Sequence, residues 1–142
     1  WRKYAKETVI WNIEKGQSLS IDEMIKAEMI RTNIYADIAS FFQEYDVLLS
    51  PSAQVPPFDL SKEWVEEIEG TKLDTYIDWM AVCCMITVTG LPAISVPGGF
   101  TKEGLPVGVQ LVGKPRGDIE LLKIAHLFET KTNFYKMKPS DF

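Results

Sequence analysis

Between Asp74 and Thr89 the chain is apolar almost without interruption: Tyr76, Ile77, Trp79, Met80, Ala81, Val82, Met85, Ile86 and Val88. The run reads as a helix ended by Gly90-Leu91-Pro92. A helix that is apolar on every side has to be covered on every side. A chain of 142 residues has little protein to spare for that cover. The segment therefore points to a larger body packed around it.

The length suits one compact domain over residues 1–142. With 46% of its residues apolar, the chain can build a core and is not a disordered tail. Glu7 to Lys15 reads as a short helix stopped at Gly16. Ser20 followed three residues later by Glu23 forms a capping-box signature, with Leu19 and Met24 placed as a hydrophobic staple. From there Met24, Ile25, Met29, Ile34, Ile38, Phe41 and Phe42 recur at helical spacing, which predicts one amphipathic helix over Ile21–Glu44. Asp46 to Leu49 follows as a short strand buried on both faces, closed by Ser50-Pro51. Helix, turn and buried strand set the rhythm of an α/β protein. Pro51 to Leu73 reads as an irregular loop, with a helical turn or two at 62–69. Ala93–Phe100 and Pro106–Gly113 read as the arms of a β-hairpin, with Gly104 free to take a positive φ in the turn. Asp118 is placed to cap a last helix to Glu129, with Leu121, Leu122, Ala125 and Phe128 as its stripe. A polar tail from Lys131 to Phe142 completes the chain.

Composition excludes several classes of function. The net charge is −5 and the basic residues are scattered, which argues against nucleic acid and anionic membrane surfaces. No segment reaches the roughly 18 apolar residues of a membrane span. No signal peptide is visible at the polar, charged start. The two cysteines, Cys83 and Cys84, are adjacent and read as reduced thiols of a cytoplasmic protein. One histidine and no CxxC spacing leave no ligand set for a metal, and no cofactor motif is present.

Hydrolytic chemistry needs a nucleophile, a base and oxyanion donors. None of the serines lies in a GxSxG elbow or a Gly-Gly-Ser-Ser-like run. Ser20 is explained as a cap, Ser50 and Ser52 as turn residues flanking Pro51, and Ser95 as mid-strand. His126 sits on an amphipathic helix and reads as a surface or boundary residue. Buried among apolar neighbours, the two thiols would be inert packing. Gly98-Gly99 lacks the rest of a phosphate loop and reads as a bend where backbone passes close to another element. No self-sufficient active site emerges.

Three segments, in this order and spacing, resemble the C-terminal third of amidase signature enzymes: Tyr45-Asp46-Val47-Leu48-Leu49-Ser50-Pro51-Ser52, the run from Thr89 to Phe100, and the run from Gly104 to Gly113. The resemblance extends from Ile21 to the end of the chain. It implies an α/β/α fold with a large mixed sheet covered by helices on both faces. It also implies enzymes that hydrolyse amides of small carboxylic acids or transfer the ammonia released. The family's lysine and two serines lie in a Gly- and Ser-rich region upstream of these segments, so no catalytic residue falls on this chain. The helix before the Gly-Leu-Pro-Ala run walls the acyl side of the family's substrate pocket. Met80, Cys84 and Thr87 lie at i, i+4 and i+7 on one face of it. They are the candidate substrate contacts, with ordinary core packing as the alternative. Thr87 stands where relatives often carry asparagine, and Gly98 where many carry cysteine.

Two expectations compete. In the first, the chain is part of an amidase; a first residue of Trp1 rather than Met fits this. Its partners would be the N-terminal part of the same protein and a small amide substrate. In the second, the chain is a non-catalytic binding or assembly module that covers its apolar helix by forming a homodimer.

Overall fold

The computed structural model describes residues 1–139; Ser140, Asp141 and Phe142, at the end of the expected tail, lie outside the described residues. The chain groups into two compact units, Trp1–Asp37 and the remainder from Ile38 onward.

The first unit contains α1 (Glu7–Gln17) and most of α2 (Ile21–Glu44). Helix α1 does not stop at Gly16. It runs one residue further and is capped by Ser18, whose hydroxyl donates to the Lys15 carbonyl at 2.7 Å. A glycine in the last turn of a helix costs only about 1 kcal/mol relative to alanine, too little to end it there. Helix α2 spans the expected residues and opens on the expected capping box. The Ser20 amide and hydroxyl both donate to Glu23 Oε2 at 2.8 Å, and the Glu23 amide donates back to Ser20 Oγ at 3.2 Å. Ile21, Met24, Ile25 and Met29 form a row along α2 and are exposed. The Ser20 amide, and then its hydroxyl, hold the Glu23 carboxyl below the ordinary glutamate range.

The second unit is built on a three-stranded sheet, β1 (Leu48–Pro51), β5 (Pro106–Val112) and β4 (Ala93–Phe100), with β5 in the middle and antiparallel to both neighbours. The β4–β5 hairpin is where the sequence placed it. Its turn is held by Thr101, whose hydroxyl accepts from the amides of Glu103 (3.2 Å) and Leu105 (3.3 Å), while Gly104 takes φ +82°. The Gly98-Gly99 bend is a register shift in β4. A Cβ on Gly98 would lie 2.8 Å from Val109 Cγ2, and Gly99 sits at φ +114° against the Phe134 ring.

Side chains alternate across β5, and so do the cores. Leu111 packs with Val96 and with Leu121 and Ala125 of α5 (Asp118–Thr132). Its neighbour Val112 points the other way, to Phe42 of α2 and to Leu91, with Leu48 and Ile86 beside them. Helical residues thus cover both faces of one sheet, the layering of an α/β fold.

Several local expectations give way. Strand β1 is shifted to Leu48–Pro51, and it alternates half-buried and exposed instead of being buried on both faces. Among the described residues it pairs only with β5, which leaves its other edge unpaired, and Leu49 is 53% exposed. Residues 62–69 form no helical turn. Glu67–Ile68 (β2) pairs with Thr71–Lys72 (β3) around Glu69 and Gly70, both at positive φ, as a primed hairpin turn requires. The apolar run at 74–89 is two short helices, α3 (Tyr76–Trp79) and α4 (Ala81–Thr87), joined at Met80, whose φ −92° and ψ 10° break the helix. Neither helix contains a buried residue; Met85 is 67% exposed. Gly117, not Asp118, is the N-cap of α5, and Asp118 is its first residue, where a carboxylate meets the positive helix end. The helix continues past Glu129 to Thr132 and ends on Asn133 in the left-handed region. Leu122 is exposed, and Ile124 packs against the core in its place.

Two outcomes follow from this packing. Leu111→Ala should destabilise the chain by about 2–5 kcal/mol, while Leu49→Ala stays within about 0.5 kcal/mol, read as shifts in urea midpoint. For Glu23, a carboxyl lowered in the folded state contributes stability above its unfolded pKa, and loses it as pH falls through the folded value. Its carboxyl 13C shift should therefore titrate below that of glutamate in a free peptide. A titration at the free-peptide value would show that the capping box is not formed in solution.

Candidate functional site

The sheet face opposite α5 carries a polar row. Strand alternation puts Leu48 on this face beside Val112, and so puts Ser50 on it two residues on. Ser50, Gln110 and Ser95 stand in register across β1, β5 and β4, and Gln110 Nε2 donates to Ser50 Oγ at 3.1 Å. The backbone pairing persists one step past β1, with the Ser52 amide donating to the Gly108 carbonyl at 3.1 Å. The Ser52 and Ser95 hydroxyls then meet at 2.7 Å over Gly108. A Cβ on Gly108 would lie 2.7 Å from Ser52 Oγ and 3.1 Å from Ser95 Oγ, so only glycine leaves room for that contact. Ser50 and Ser52 are thus not simple turn residues: Ser50 belongs to a strand, and Ser52 extends it.

Gln54 continues the same alternation and ties the segment after β1 to the helix pair. Its Nε2 donates to the Asp78 carbonyl at 3.1 Å, and its Oε1 accepts from the Val82 amide at 3.3 Å. Cys83 adds a thiol contact to the Ser52 carbonyl at 3.6 Å. Helix α3 begins with its own capping box, in which the Thr75 amide and hydroxyl both donate to Asp78 Oδ2 at 2.8 Å. The Thr75-x-x-Asp78 spacing announces that start in the sequence; the break at Met80 has no comparable signal.

Between these elements lies a hollow of about 730 Å³. Its wall runs along residues 49–58, across Trp79 and back along 106–109. Phe58 and Trp79 meet edge to face, with ring centroids 5.6 Å apart. Among the described residues no ionisable side chain lines the hollow; Ser50, Ser52 and Gln54 are its polar members. The Trp79 indole nitrogen is shut off from solvent without an acceptor.

Met80 is at the α3–α4 joint, and its carbonyl accepts from the Cys83 (2.9 Å) and Cys84 (3.0 Å) amides. Met80 and Cys84 are half-buried; Thr87 is exposed and its hydroxyl donates to the Cys83 carbonyl at 2.9 Å. The wall of the hollow takes Trp79 from this segment and none of these three residues. Both cysteines are free thiols, but Cys83 is exposed and Cys84 half-buried, because α4 lacks the cover a buried thiol would need. His126 is on the surface of α5. Among the described residues no lysine, histidine or carboxylate hydrogen-bonds to the Ser52 or Ser95 hydroxyl, and no group of three or more His, Cys, Asp or Glu is placed to hold a metal. No helix among them is long and apolar enough to cross a membrane.

The family model described as Amidase matches residues 2–122. The chain belongs to the amidase family. It is 38% identical over 112 residues to the A subunit of the glutamyl-tRNA(Gln) amidotransferase of Myxococcus xanthus, and 37% identical over 116 residues to that of Dehalococcoides mccartyi. These alignments cover 79% and 81% of this chain but 22% of either relative, so the chain spans about a fifth of their length. Among solved structures it superposes on a bacterial aryl acylamidase of the amidase signature family with TM-score 0.80 at 22% identity, covering 95% of this chain and 28% of that one. A 6-aminohexanoate cyclic dimer hydrolase gives TM-score 0.75 at 18% identity over 99% of this chain and 30% of that one. The fold is therefore part of the amidase signature fold.

Gln54→Leu removes both bonds to the helix pair at little change in volume. It should cost about 1–3 kcal/mol in urea unfolding and speed hydrogen exchange at the Val82 amide. Unchanged exchange at Val82 would show that the glutamine does not hold α4 in place.

Proposed function

We propose that the chain is the C-terminal part of an amidase that hydrolyses the carbon–nitrogen bond of a carboxylic amide to an acid and ammonia or an amine. In this reading it supplies sheet and pocket wall, while the nucleophile and base come from the N-terminal part of the same protein. The observation that carries it is the match to the family over 121 of 142 residues, joined to a serine pair with no base hydrogen-bonded to it among the described residues. A hydroxyl needs such a base to act as a nucleophile at neutral pH. Met80, Cys84 and Thr87 are then substrate contacts on the α4 wall, and the enzyme works in the cytoplasm, where free thiols stay reduced. The names of the relatives leave two parent activities, simple hydrolysis and transfer of the released ammonia.

A homodimeric assembly module is the second reading. The exposed row Ile21, Met24, Ile25 and Met29 favours it. Sedimentation of the purified chain separates the two, since a dispersed monomer removes the second.

The chain alone should release no ammonia from benzamide. Joined to an upstream amidase part, it should support turnover, and Met80→Ala or Thr87→Val should then raise KM about tenfold with little change in kcat, the mark of lost substrate binding. Turnover by the 142-residue chain alone would overturn the division of labour.

A further inference from the structure

We propose that the Gln54 side chain is a wedge that holds the apolar run at 76–87 broken at Met80, and that without it the run samples one continuous helix that draws Trp79 off the wall of the hollow. Gln54 is then a positioning residue, acting on the hollow through α3 and Trp79.

Tyr76 to Thr87 contains no glycine, proline or serine, so the local sequence does not account for a break there. A side chain from another segment does. In an unbroken helix the Val82 amide donates to the carbonyl four residues earlier, that of Asp78. Here both groups turn to one carboxamide: the Val82 amide donates to Gln54 Oε1 at 3.3 Å, and Gln54 Nε2 donates to the Asp78 carbonyl at 3.1 Å. A neutral carboxamide offers an acceptor and a donor side by side, the pair that a missing helical bond leaves over. The turns on either side stay bonded, with the Met80 amide donating to the Ile77 carbonyl and the Cys84 amide to the Met80 carbonyl, both at 3.0 Å.

The parts differ in how they are anchored. Gln54 is held to the sheet two residues earlier, where the Ser52 amide donates to the Gly108 carbonyl at 3.1 Å. Helix α4 is held by Ile86, which packs against the cluster of Phe42, Leu91 and Val112. Helix α3 is a four-residue turn with no buried residue, so it is the arm that moves. Closure takes Met80 ψ from 10° to about −42° and carries Trp79 away from Phe58. In the broken state the Trp79 indole nitrogen is shut off from solvent without an acceptor, a cost that swinging out relieves. Two states of similar free energy follow, and the carboxamide selects one.

The test is NMR on the 142-residue chain without substrate, so its outcome is independent of the amidase reading. Coupling across the hydrogen bond should link the Val82 amide nitrogen to Gln54 Cδ. In Gln54→Leu the Met80 13Cα shift should move toward its helical value, and the contact between the Trp79 and Phe58 rings should weaken. The Val82 amide, bonded then only while the helix is closed, should exchange up to about tenfold faster than in the unsubstituted chain, the loss of one net hydrogen bond. Adding Met80→Gly should return the balance toward the broken state about fivefold and restore the ring contact, since glycine disfavours a helix interior. Gln54→Asn, a methylene too short to meet both partners, carries the same expectation where the leucine variant does not fold. Coupling of Val82 to the Asp78 carbonyl carbon in the unsubstituted chain overturns the inference. So do a Met80 shift and a ring contact unchanged in the variants, which would give the break another cause. A Met80 shift toward its unstructured value also overturns it, by reducing Gln54 to a fastening.

Discussion

Everything in the second unit hangs on the centre of β5. Leu111 and Val112 are consecutive, and both are almost wholly buried, at 1% and 0% exposure. Consecutive strand residues point to opposite faces, so this pair can be buried only if protein covers the sheet on both sides. Helix α5 supplies one cover through Leu121 and Ala125. The other comes from Phe42 at the end of α2 and from Leu91 at the entrance to β4. A one-residue slip of β5 would exchange the two faces and place Gln110 against Leu121, so burial fixes the register. That register in turn lines up Ser50, Gln110 and Ser95 on the side away from α5. The polar row is a by-product of where the apolar residues must go.

Glycine then decides how closely that row can gather. Gly98 and Gly108 flank the crossing of β4 and β5, and each lies where a Cβ would come within 2.8 Å of a neighbouring side-chain atom. At Gly108 the space that a side chain would fill is taken by two hydroxyls in contact. Relief of crowding and creation of a polar spot are therefore one event.

What the sequence made legible was whatever a single periodicity or a single short motif controls. The α2 helix was readable end to end because its cap and its apolar spacing agree. The hairpin was readable because Gly104 and the alternation on either side agree. The resemblance of three segments carried the family and the fold. The errors fall where tertiary context decides. The 74–89 run has the composition of one buried helix, yet it breaks at Met80 and stays open, because composition records what a segment needs and not what the chain supplies. Edge position, which no local pattern encodes, exposes Leu49. Glu69-Gly70 folds as a primed turn although glutamate is an unusual residue at positive φ. At the site, Gln54 and the Ser52–Ser95 pair escaped notice because each matters through a partner 24 to 43 residues away. Only the alternation of positions 50, 52 and 54 hinted at them, and the prolines around it read as a loop.

Among the described residues no acid or base lines the hollow, and that bears on chemistry in a way that differs from mere lack of machinery. An uncharged, largely apolar wall lowers the local dielectric, and the interaction between two charges scales inversely with it. If lysine and serine groups are brought to its rim by the rest of an enzyme, charge developing on an amide oxygen there is screened less than it would be in water. Donors fixed around it are then worth correspondingly more. An acidic or basic side chain in the same wall would work against this, by holding water and by shifting the pKa of the groups that do the proton transfer. Keeping Ser50, Ser52 and Gln54 as the polar members, each satisfied by a neutral partner, leaves orientation without charge. In the proposed amidase, a wall of this kind would contribute to amide cleavage through what it keeps out.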